Sequence, residues 1–328
     1  MILGFIFSLI VSVLFAVYAV PRKFSKQNVI LYTMWMGIAY FIGTIILISV
    51  IWGFGFEEPE NLLSPWHFLT VLRGFIWVLG MAAYNTAIDK IGLIRFNQWK
   101  NIQGPVGSLL ILFVIADMVV EIKVIFLLLG MTLMFCSALL FQIKTDVELG
   151  NKLNDGLSVP EGISPQKNKK LGVVFALLSG VCFGITALLN SIVTSPAIVG
   201  DTFIFAQLLY HSASLIIFSA IVYMIIGDHS NKHSTLKQRL KDIFKISKKT
   251  WLPFMAGGMF LVATLLTIYS YRMIPNAIAW SIVQLNVFWT ILVGIFIFKE
   301  INYKQHFLRL IAGILMAIGA CVLLFFAV

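Results

Sequence analysis

Ten continuous apolar runs, each about as long as a bilayer is thick, dominate this sequence. They cover residues 1–20, 30–52, 67–88, 91–115, 122–141, 171–190, 202–226, 251–271, 274–298 and 307–327. A helix rises 1.5 Å per residue, so about 20 residues cross a hydrocarbon core of ~30 Å. The runs are continuous rather than alternating, which favours helices because backbone polar groups in lipid must be paired. We therefore expect an all-α polytopic membrane protein with ten transmembrane helices.

Composition excludes the soluble classes and a nucleic-acid partner. Of the 328 residues, 60% are hydrophobic and 12% are charged, against roughly 45–50% and 25% in soluble domains. The formal net charge of +10 does not indicate nucleic-acid binding, because most Lys and Arg residues lie between the apolar runs, where they set membrane orientation. Cys136, Cys182 and Cys321 lie inside apolar runs without metal-ligand spacing, so we expect packing residues and no metal site.

The distribution of Lys and Arg predicts the orientation. Most of these residues flank the loops that follow the odd-numbered runs. The positive-inside rule puts those loops in the cytoplasm, including the linkers 142–170 and 227–250, and both termini outside. We expect a multi-pass protein of the plasma membrane.

The chain repeats itself. Residues 3–19 align with residues 171–187, and seven of the 17 pairs are identical. A second alignment, at an offset of 183 instead of 168, pairs Ile91 with Ile274, Asn101 with Gln284, and Gln103 with Asn286. Each half, 1–141 and 171–328, holds five runs, so the second copy enters the membrane from the opposite side. Such inverted repeats are typical of secondary transporters, whose substrate site lies near the midplane.

The architecture and two segments resemble a known family. The fourth run of each half ends in an acidic residue, in IADMVVE at 115–121 and IFKEI at 297–301. This pattern resembles the drug/metabolite transporter superfamily, and residues 275–324 are similar to its glucose/ribose porter branch, the sugar permeases of microbial plasma membranes. The resemblance implies uptake, often proton-coupled, of a small polar solute. We interpret the acidic residue after the fourth run as a feature of the helix end rather than as a site residue.

Polar side chains inside apolar runs are costly unless they face a cavity or a partner, so they predict the substrate pathway. The fourth run holds the densest set, beside Pro105, which should kink or break the helix. The candidate substrate-binding residues are Asn97, Gln98, Trp99, Lys100, Asn101, Gln103, Trp280, Ser281, Gln284 and Asn286. The candidate pathway or coupling residues are Arg73, Asn85, Gln207, Tyr210 and His211.

The same residues have structural interpretations. Amides in spans also join helices by hydrogen bonds, and Trp is commonly a lipid-interface or packing residue. Gly180 and Gly184 form a small-x-x-x-small pattern, which predicts a close helix approach.

We expect a secondary transporter that moves a small polar solute, with a sugar as the leading candidate, by alternating access. The alternatives are an exporter or exchanger of amino acids or nucleotide derivatives on the same fold and, more remotely, a non-transporting structural membrane protein. The sequence contains no phosphate-binding loop and no hydrolase motif, so neither an enzyme nor a cofactor is expected. No Asp or Glu lies mid-run, which leaves Lys100 and His211 as proton-coupling candidates, beside passive or other ion-linked transport. Oligomeric state stays open.

Overall fold

The computed structural model describes residues 2–25, 27–56, 60–91, 96, 99–100, 102–115, 124–140, 165–199, 203–227, 235–246, 250–297 and 307–327. Within these ranges the regular secondary structure is entirely helical. The helices are α1 (Ile2–Val17), α2 (Val20–Phe24), α3 (Val29–Gly53), α4 (His67–Ile91), α5 (Gln103–Ile115), α6 (Val124–Leu140), α7 (Pro165–Val193), α8 (Pro196–Val199), α9 (Phe205–Ile226), α10 (Leu236–Ile243), α11 (Trp251–Met273), α12 (Asn276–Val283), α13 (Asn286–Phe296) and α14 (Phe307–Phe326).

The described helices confirm a polytopic membrane protein of the all-α class. Eight helical stretches are long and apolar enough to cross a membrane, and they correspond to eight of the ten predicted runs. The run 122–141 forms α6, which has 17 residues and is shorter than these eight. The run 91–115 is described only in part, and α5 forms its second half.

The two halves exchange their first helices. The first helix of the chain, α1, packs on α11, α12 and α13 of the second half. In the same way α7, the first helix of the second half, packs on α4 and α5 of the first half. The helices α3 and α9 pair with each other, and so do α6 and α14. The core therefore lies between the halves rather than within each one.

Glycines on α7 allow the close approach that their spacing predicts. A Cβ atom on Gly180 would lie 2.7 Å from the carbonyl oxygen of Lys100, and one on Gly184 would lie 2.7 Å from Cγ1 of Val106. These distances are shorter than van der Waals contact, so a larger side chain at either position would push the fourth span away. The prediction of a small-residue packing face is confirmed.

Two of the predicted runs, the fourth and the ninth, are interrupted by a turn among the described residues. A turn at Ile102 precedes α5, and the turn at Gln284 and Leu285 separates α12 from α13. Pro105 was predicted to kink or break the helix; it is the third residue of α5, in the first turn, where proline is tolerated. The break lies just before it, and the break in the ninth span was not predicted, because no Pro or Gly marks it.

Within the linker 227–250, the residues Lys237, Arg239 and Lys241 are interspersed with apolar residues in the helix α10, which docks on the bundle. Arg239 donates from Nη1 to the carbonyl oxygens of Met224 and Ile225, at 2.7 and 2.9 Å. These carbonyls belong to the last turn of α9, where backbone acceptors have no helical partner. Ile243 is buried, whereas Phe244 is 74% exposed.

Candidate functional site

The broken spans meet at one place, which we call the crossing and define by Gln103, Ser108, Trp280, Ser281 and Gln284. Nε2 of Gln103 donates to Oε1 of Gln284 at 2.8 Å. Nε1 of Trp280 donates to the carbonyl oxygen of Gln103 at 3.2 Å. The hydroxyls of Ser108 and Ser281 lie 2.9 Å apart. The structure therefore brings predicted residues of the fourth and ninth spans into direct contact.

Two glycines of α5 make this contact possible. A Cβ atom on Gly107 would collide with the indole of Trp280, and one on Gly104 would lie 2.7 Å from Cγ of Gln284. The helices can approach this closely because neither position has a side chain. The crossing is thus packed tightly enough to fix the indole and the two glutamine side chains.

A cavity of about 70 Å³ adjoins the crossing. The two halves both contribute to it. It is lined by Phe15, Tyr18, Arg73, Trp77, Lys100, Gln103, Phe183, Thr186, Ala187, Asn190, Phe260, Thr264, Thr267, Tyr271, Trp280 and Asn286. At roughly 10–15 Å³ per water molecule, it has room for about five waters. A hexose has about twelve non-hydrogen atoms, so the cavity as it stands is smaller than a molecule of that size.

Arg73, on α4, is one of two cations in the described part of the cavity lining. It is buried, with 7% of its surface exposed. Its Nη1 donates to Oδ1 of Asn190 on α7. This neutral amide fixes the guanidinium in place but does not balance its charge.

Lys100, three residues before the start of α5, is the second cation among the described residues of the lining. It is 4% exposed. Its Nζ lies 5.6 Å from the ring centre of Tyr84, 5.8 Å from that of Phe183 and 5.9 Å from that of Phe96. Each such contact stabilises a desolvated cation by about 2 kcal/mol, so the three rings offset part of the several kcal/mol that burial of a charge costs. Among the described lining residues there is no Asp or Glu to offset the difference.

Neutral polar groups complete the lining. Nδ2 of Asn286, the first residue of α13, donates to the carbonyl oxygen of Val283 at 2.9 Å. Its Oδ1 is buried and has no hydrogen-bond partner among the described residues. Thr264 and Thr267 donate their hydroxyls to carbonyl oxygens of their own helix, α11, which leaves oxygen lone pairs for other donors. An amide oxygen and hydroxyls of this kind suit a hydroxyl-bearing solute.

The predicted binding residues divide into three groups. Lys100, Gln103, Trp280 and Asn286 line the cavity. Ser281 and Gln284 belong to the crossing and bond across it, as the helix-joining interpretation expects, while Trp99 packs half-buried against the apolar core. Asn97, Gln98 and Asn101 lie outside the described residues.

Of the predicted pathway residues, only Arg73 lines the cavity. Asn85 is buried away from it and accepts a hydrogen bond from Nε of Arg22 at 3.2 Å. His211 lies behind the cavity wall, with Nδ1 3.5 Å from the Tyr40 hydroxyl and its ring close to those of Trp77 and Phe260. Gln207 and Tyr210 belong to a different cluster at the start of α9.

This second cluster, which we call the α9 cap, consists of Glu60, His67, Gln207 and Tyr210. The carboxylate of Glu60 accepts from the backbone N–H groups of Ile204 and Ala206, at 2.7 and 2.8 Å. Such bonds satisfy donors that have no partner at a helix N-terminus. Burial raises the pKa of the Glu60 carboxyl above its ordinary value, although the backbone donors oppose this.

Side chains complete the α9 cap. The Tyr210 hydroxyl donates to the carbonyl oxygen of Leu62 at 2.6 Å, and the Tyr210 ring stacks on His67 with ring centres 4.7 Å apart. Nε2 of Gln207 donates to the carbonyl oxygens of Val193 and Phe203. The α9 cap thus ties the segment before α4 to the start of α9.

Several lining residues were not predicted. On α11 they are Phe260, Thr264, Thr267 and Tyr271, and on α7 they are Phe183, Thr186, Ala187 and Asn190. Within each set most residues are separated by three, four or seven positions, so they lie on one face of their helix. That spacing was the available signal, but threonine and aromatic residues inside an apolar run do not stand out by polarity alone.

Comparisons with known proteins bear on the class of the molecule. Residues 211–327 match a family model described as "Sugar transport protein". A solved structure described only as "Crystal structure of protein" is similar with a TM-score of 0.62 and 10% sequence identity, over 98% of this chain and 95% of that chain. At this identity the likeness shows the fold alone. No curated protein matches the chain. The apolar helices and the family match support a multi-pass membrane transporter, and over residues 211–327 the expected resemblance to sugar permeases is confirmed.

Proposed function

We propose that this protein is a secondary transporter of a sugar, which it moves across the plasma membrane by alternating access. The observation that carries the proposal is the cavity, which both halves line at the point where two broken spans cross. Broken helices near the midplane are typical of transporter sites, because their freed backbone groups are tolerated only beside a cavity or protein.

The contacts of α1 and α7 support two inverted repeats, 1–141 and 171–328, joined by the linker 142–170. A Cβ atom on Gly4 would touch Met273 and Ile274, and one on Gly172 would touch Lys90 and Ile91. Gly4 and Gly172 are partners at the offset of 168 in the predicted repeat. Lys90 and Ile91 correspond to Met273 and Ile274 at the offset of 183.

The starts of two helices support the same repeat. The helix α5 begins at Gln103 and α13 begins at Asn286, and these residues are partners at the offset of 183. Related contacts and related breaks are expected if one fold unit occurs twice, and they favour rocking of one half against the other.

The substrate is proposed to lie among Lys100, Gln103, Trp280 and Asn286. Aromatic rings of Trp77, Phe183 and Phe260 offer flat apolar surfaces for the C–H face of a sugar ring. The amides Asn97, Gln98 and Asn101, with Trp99, Ser281 and Gln284, are proposed to support this site from the same two spans.

Uptake of labelled monosaccharides into proteoliposomes tests the proposal. We expect saturable uptake and counterflow of at least one monosaccharide. Saturable exchange of an amino acid or a nucleotide derivative, without saturable uptake of any sugar, would contradict the proposal and favour a metabolite exchanger.

Cysteine accessibility tests the location of the site. In a background without Cys136, Cys182 and Cys321, we expect the transported sugar to protect Q103C and N286C from a thiol reagent. The control is T132C, since Thr132 is exposed on α6 and does not line the cavity. Equal labelling of all three variants with and without sugar would show that the substrate binds elsewhere.

Energy coupling is proposed to involve His211 or Lys100 if transport is proton-linked, and passive or other ion-linked transport is the alternative. His211 has no hydrogen-bond partner at Nε2 among the described residues. Sugar-induced alkalinisation outside weakly buffered vesicles is the measurement. A proton signal that disappears in H211Q or K100M assigns the group, a signal that persists in both variants contradicts the assignment, and no signal in the wild type favours the alternative.

A further inference from the structure

Two cations, Arg73 and Lys100, line the same small cavity. From these cations we propose that the transported solute is an anionic sugar derivative whose carboxylate or phosphate group is bound by Arg73 and Lys100. This inference rests on the proposed function and names the substrate class of that site. It is narrower than the family match, which indicates a sugar without specifying its charge.

Arg73 is positioned as the fixed anion ligand. The Arg73–Asn190 bond occupies one of the five donors of the guanidinium. The planar fork of this group matches the paired oxygens of a carboxylate or phosphate. Asn190 acts as a positioning residue, because it holds the guanidinium at the cavity without neutralising it.

Lys100 provides a second, adaptable charge. Its ammonium group is flanked by three aromatic rings and makes no hydrogen bond within the described part of the chain. On α7, Phe183 lies beside Lys100 and Asn190 lies beside Arg73; seven residues separate them, or about 10 Å at 1.5 Å per residue. Both side chains line one cavity of only about 70 Å³, so an anionic solute bound there lies close to both charges.

Charge balance distinguishes an anion from a neutral sugar. Buried cations in a membrane protein are costly unless a partner offsets them. The described lining offers amides, hydroxyls and rings but no carboxylate. A neutral sugar would bond to the amides and leave the charge of Arg73 uncompensated, whereas an anionic sugar would bond to the amides and also supply the missing negative charge.

The first test is substrate preference. Purified wild-type protein in liposomes is assayed for counterflow of glucose, glucuronate and glucose 6-phosphate at equal concentrations. We expect glucuronate or glucose 6-phosphate to be transported at least 10-fold faster than glucose. The two anions distinguish a carboxylate from a phosphate ligand. Glucose transport equal to or faster than both anions would overturn the anion proposal and leave the proposed function standing. No transport of any of the three, with another metabolite exchanged, would overturn both.

The second test assigns the residues. We expect R73Q and K100Q each to reduce transport of the preferred anion at least 10-fold, and R73K to retain more of it than R73Q. The matched controls are R309Q and K170Q, which remove exposed charges outside the cavity and should stay within twofold of the wild type. Stabilisation by the anion in a thermal unfolding assay should be lost in R73Q even where that variant folds normally. Full anion transport or full anion stabilisation in R73Q would overturn the assignment.

Discussion

The cavity and the α9 cap both contain buried polar side chains that the sequence marks as pathway candidates, yet they use them differently. In the α9 cap, Glu60 and Tyr210 bind backbone groups of neighbouring segments, whereas Gln207 donates to the carbonyl oxygen of Val193 and its own Oε1 has no partner among the described residues. In the cavity, the Lys100 ammonium group and the side-chain oxygen Oδ1 of Asn286 have no hydrogen-bond partner within the described chain. A polar residue in an apolar run is therefore informative only when its hydrogen-bond partners are known. We expect changes in the cavity to alter transport and changes in the α9 cap to alter stability.

The largest effect should come from Gly180→Leu, which removes the packing on which the cavity depends. The new Cβ would press on the backbone oxygen of Lys100, which cannot move without shifting the fourth span. Overpacking of this kind costs about 3 kcal/mol or more. We expect little monodisperse protein in size-exclusion chromatography of detergent extracts.

The matched control is Gly258→Leu. A Cβ at Gly258 would meet no atom within 4 Å, so this variant should elute like the wild type. Wild-type elution and an unchanged melting temperature in Gly180→Leu would show that α7 does not fix the fourth span.

A smaller effect, on transport alone, should follow from Asn286→Ala. The change removes an amide oxygen that is available to a substrate hydroxyl, so we expect about a 10-fold fall in uptake, or ~1.4 kcal/mol. The melting temperature should change by less than about 2 °C, since the local bond to Val283 contributes only about 1 kcal/mol. Asn276→Ala is the control, because Asn276 does not line the cavity. Equal uptake by both variants would contradict a role for Asn286 in binding.

Tyr210→Phe in the α9 cap should lower stability and leave transport unchanged, the opposite of Asn286→Ala. The variant loses the hydrogen bond to Leu62 and keeps the ring stacked on His67. We expect stability to fall by about 1 kcal/mol, with the KM for substrate unchanged. Tyr32→Phe is the control, since the Tyr32 hydroxyl is buried without a hydrogen-bond partner among the described residues. A raised KM and an unchanged melting temperature in Tyr210→Phe would show that the α9 cap acts on substrate binding rather than on stability.

The smallest effect concerns pH and Glu60. The folded protein holds the proton of Glu60 more tightly than the unfolded chain, because burial raises the pKa of this carboxyl. The contribution of Glu60 to stability therefore grows as the pH falls through that raised pKa, and it levels off below the ordinary value of about 4.3. As the pH is lowered from 7.5 to 5, the melting temperature of the wild type should rise relative to that of Glu60→Gln. A constant difference between the two across this range would contradict the prediction.

Much of the fold could be predicted because a bilayer imposes a length and a polarity on each span. The apolar runs predict the residues of eight spans. The spacing of small residues predicts the Gly180 face, and the repeat predicts that the fourth and ninth runs lie together. The break between α12 and α13 could not be read from local residue types, since Gln284 and Leu285 are not helix breakers. It becomes visible only when the repeat alignment carries the break before Gln103 onto Asn286.

The site was less predictable than the fold, for a related reason. Arg73 was marked by its charge, but the sequence did not show that it shares a cavity with Lys100, which lies on a different helix. Tyr210 and Gln207 have the residue types of a binding site, yet their partners are backbone oxygens. Residue type indicates which side chains need a partner, and only packing decides whether the partner is protein or substrate.

The exchange of first helices between the halves has a consequence for biosynthesis. About 230 residues separate α1 from the start of α11, the helix on which it packs. At 5–20 residues per second, a ribosome takes roughly 10–50 s to make that stretch. Throughout this interval Ser8 and Ser12, which are buried in the finished protein, lack their final neighbours. The first helix to be translated therefore completes its packing only after the last third of the chain has begun to emerge.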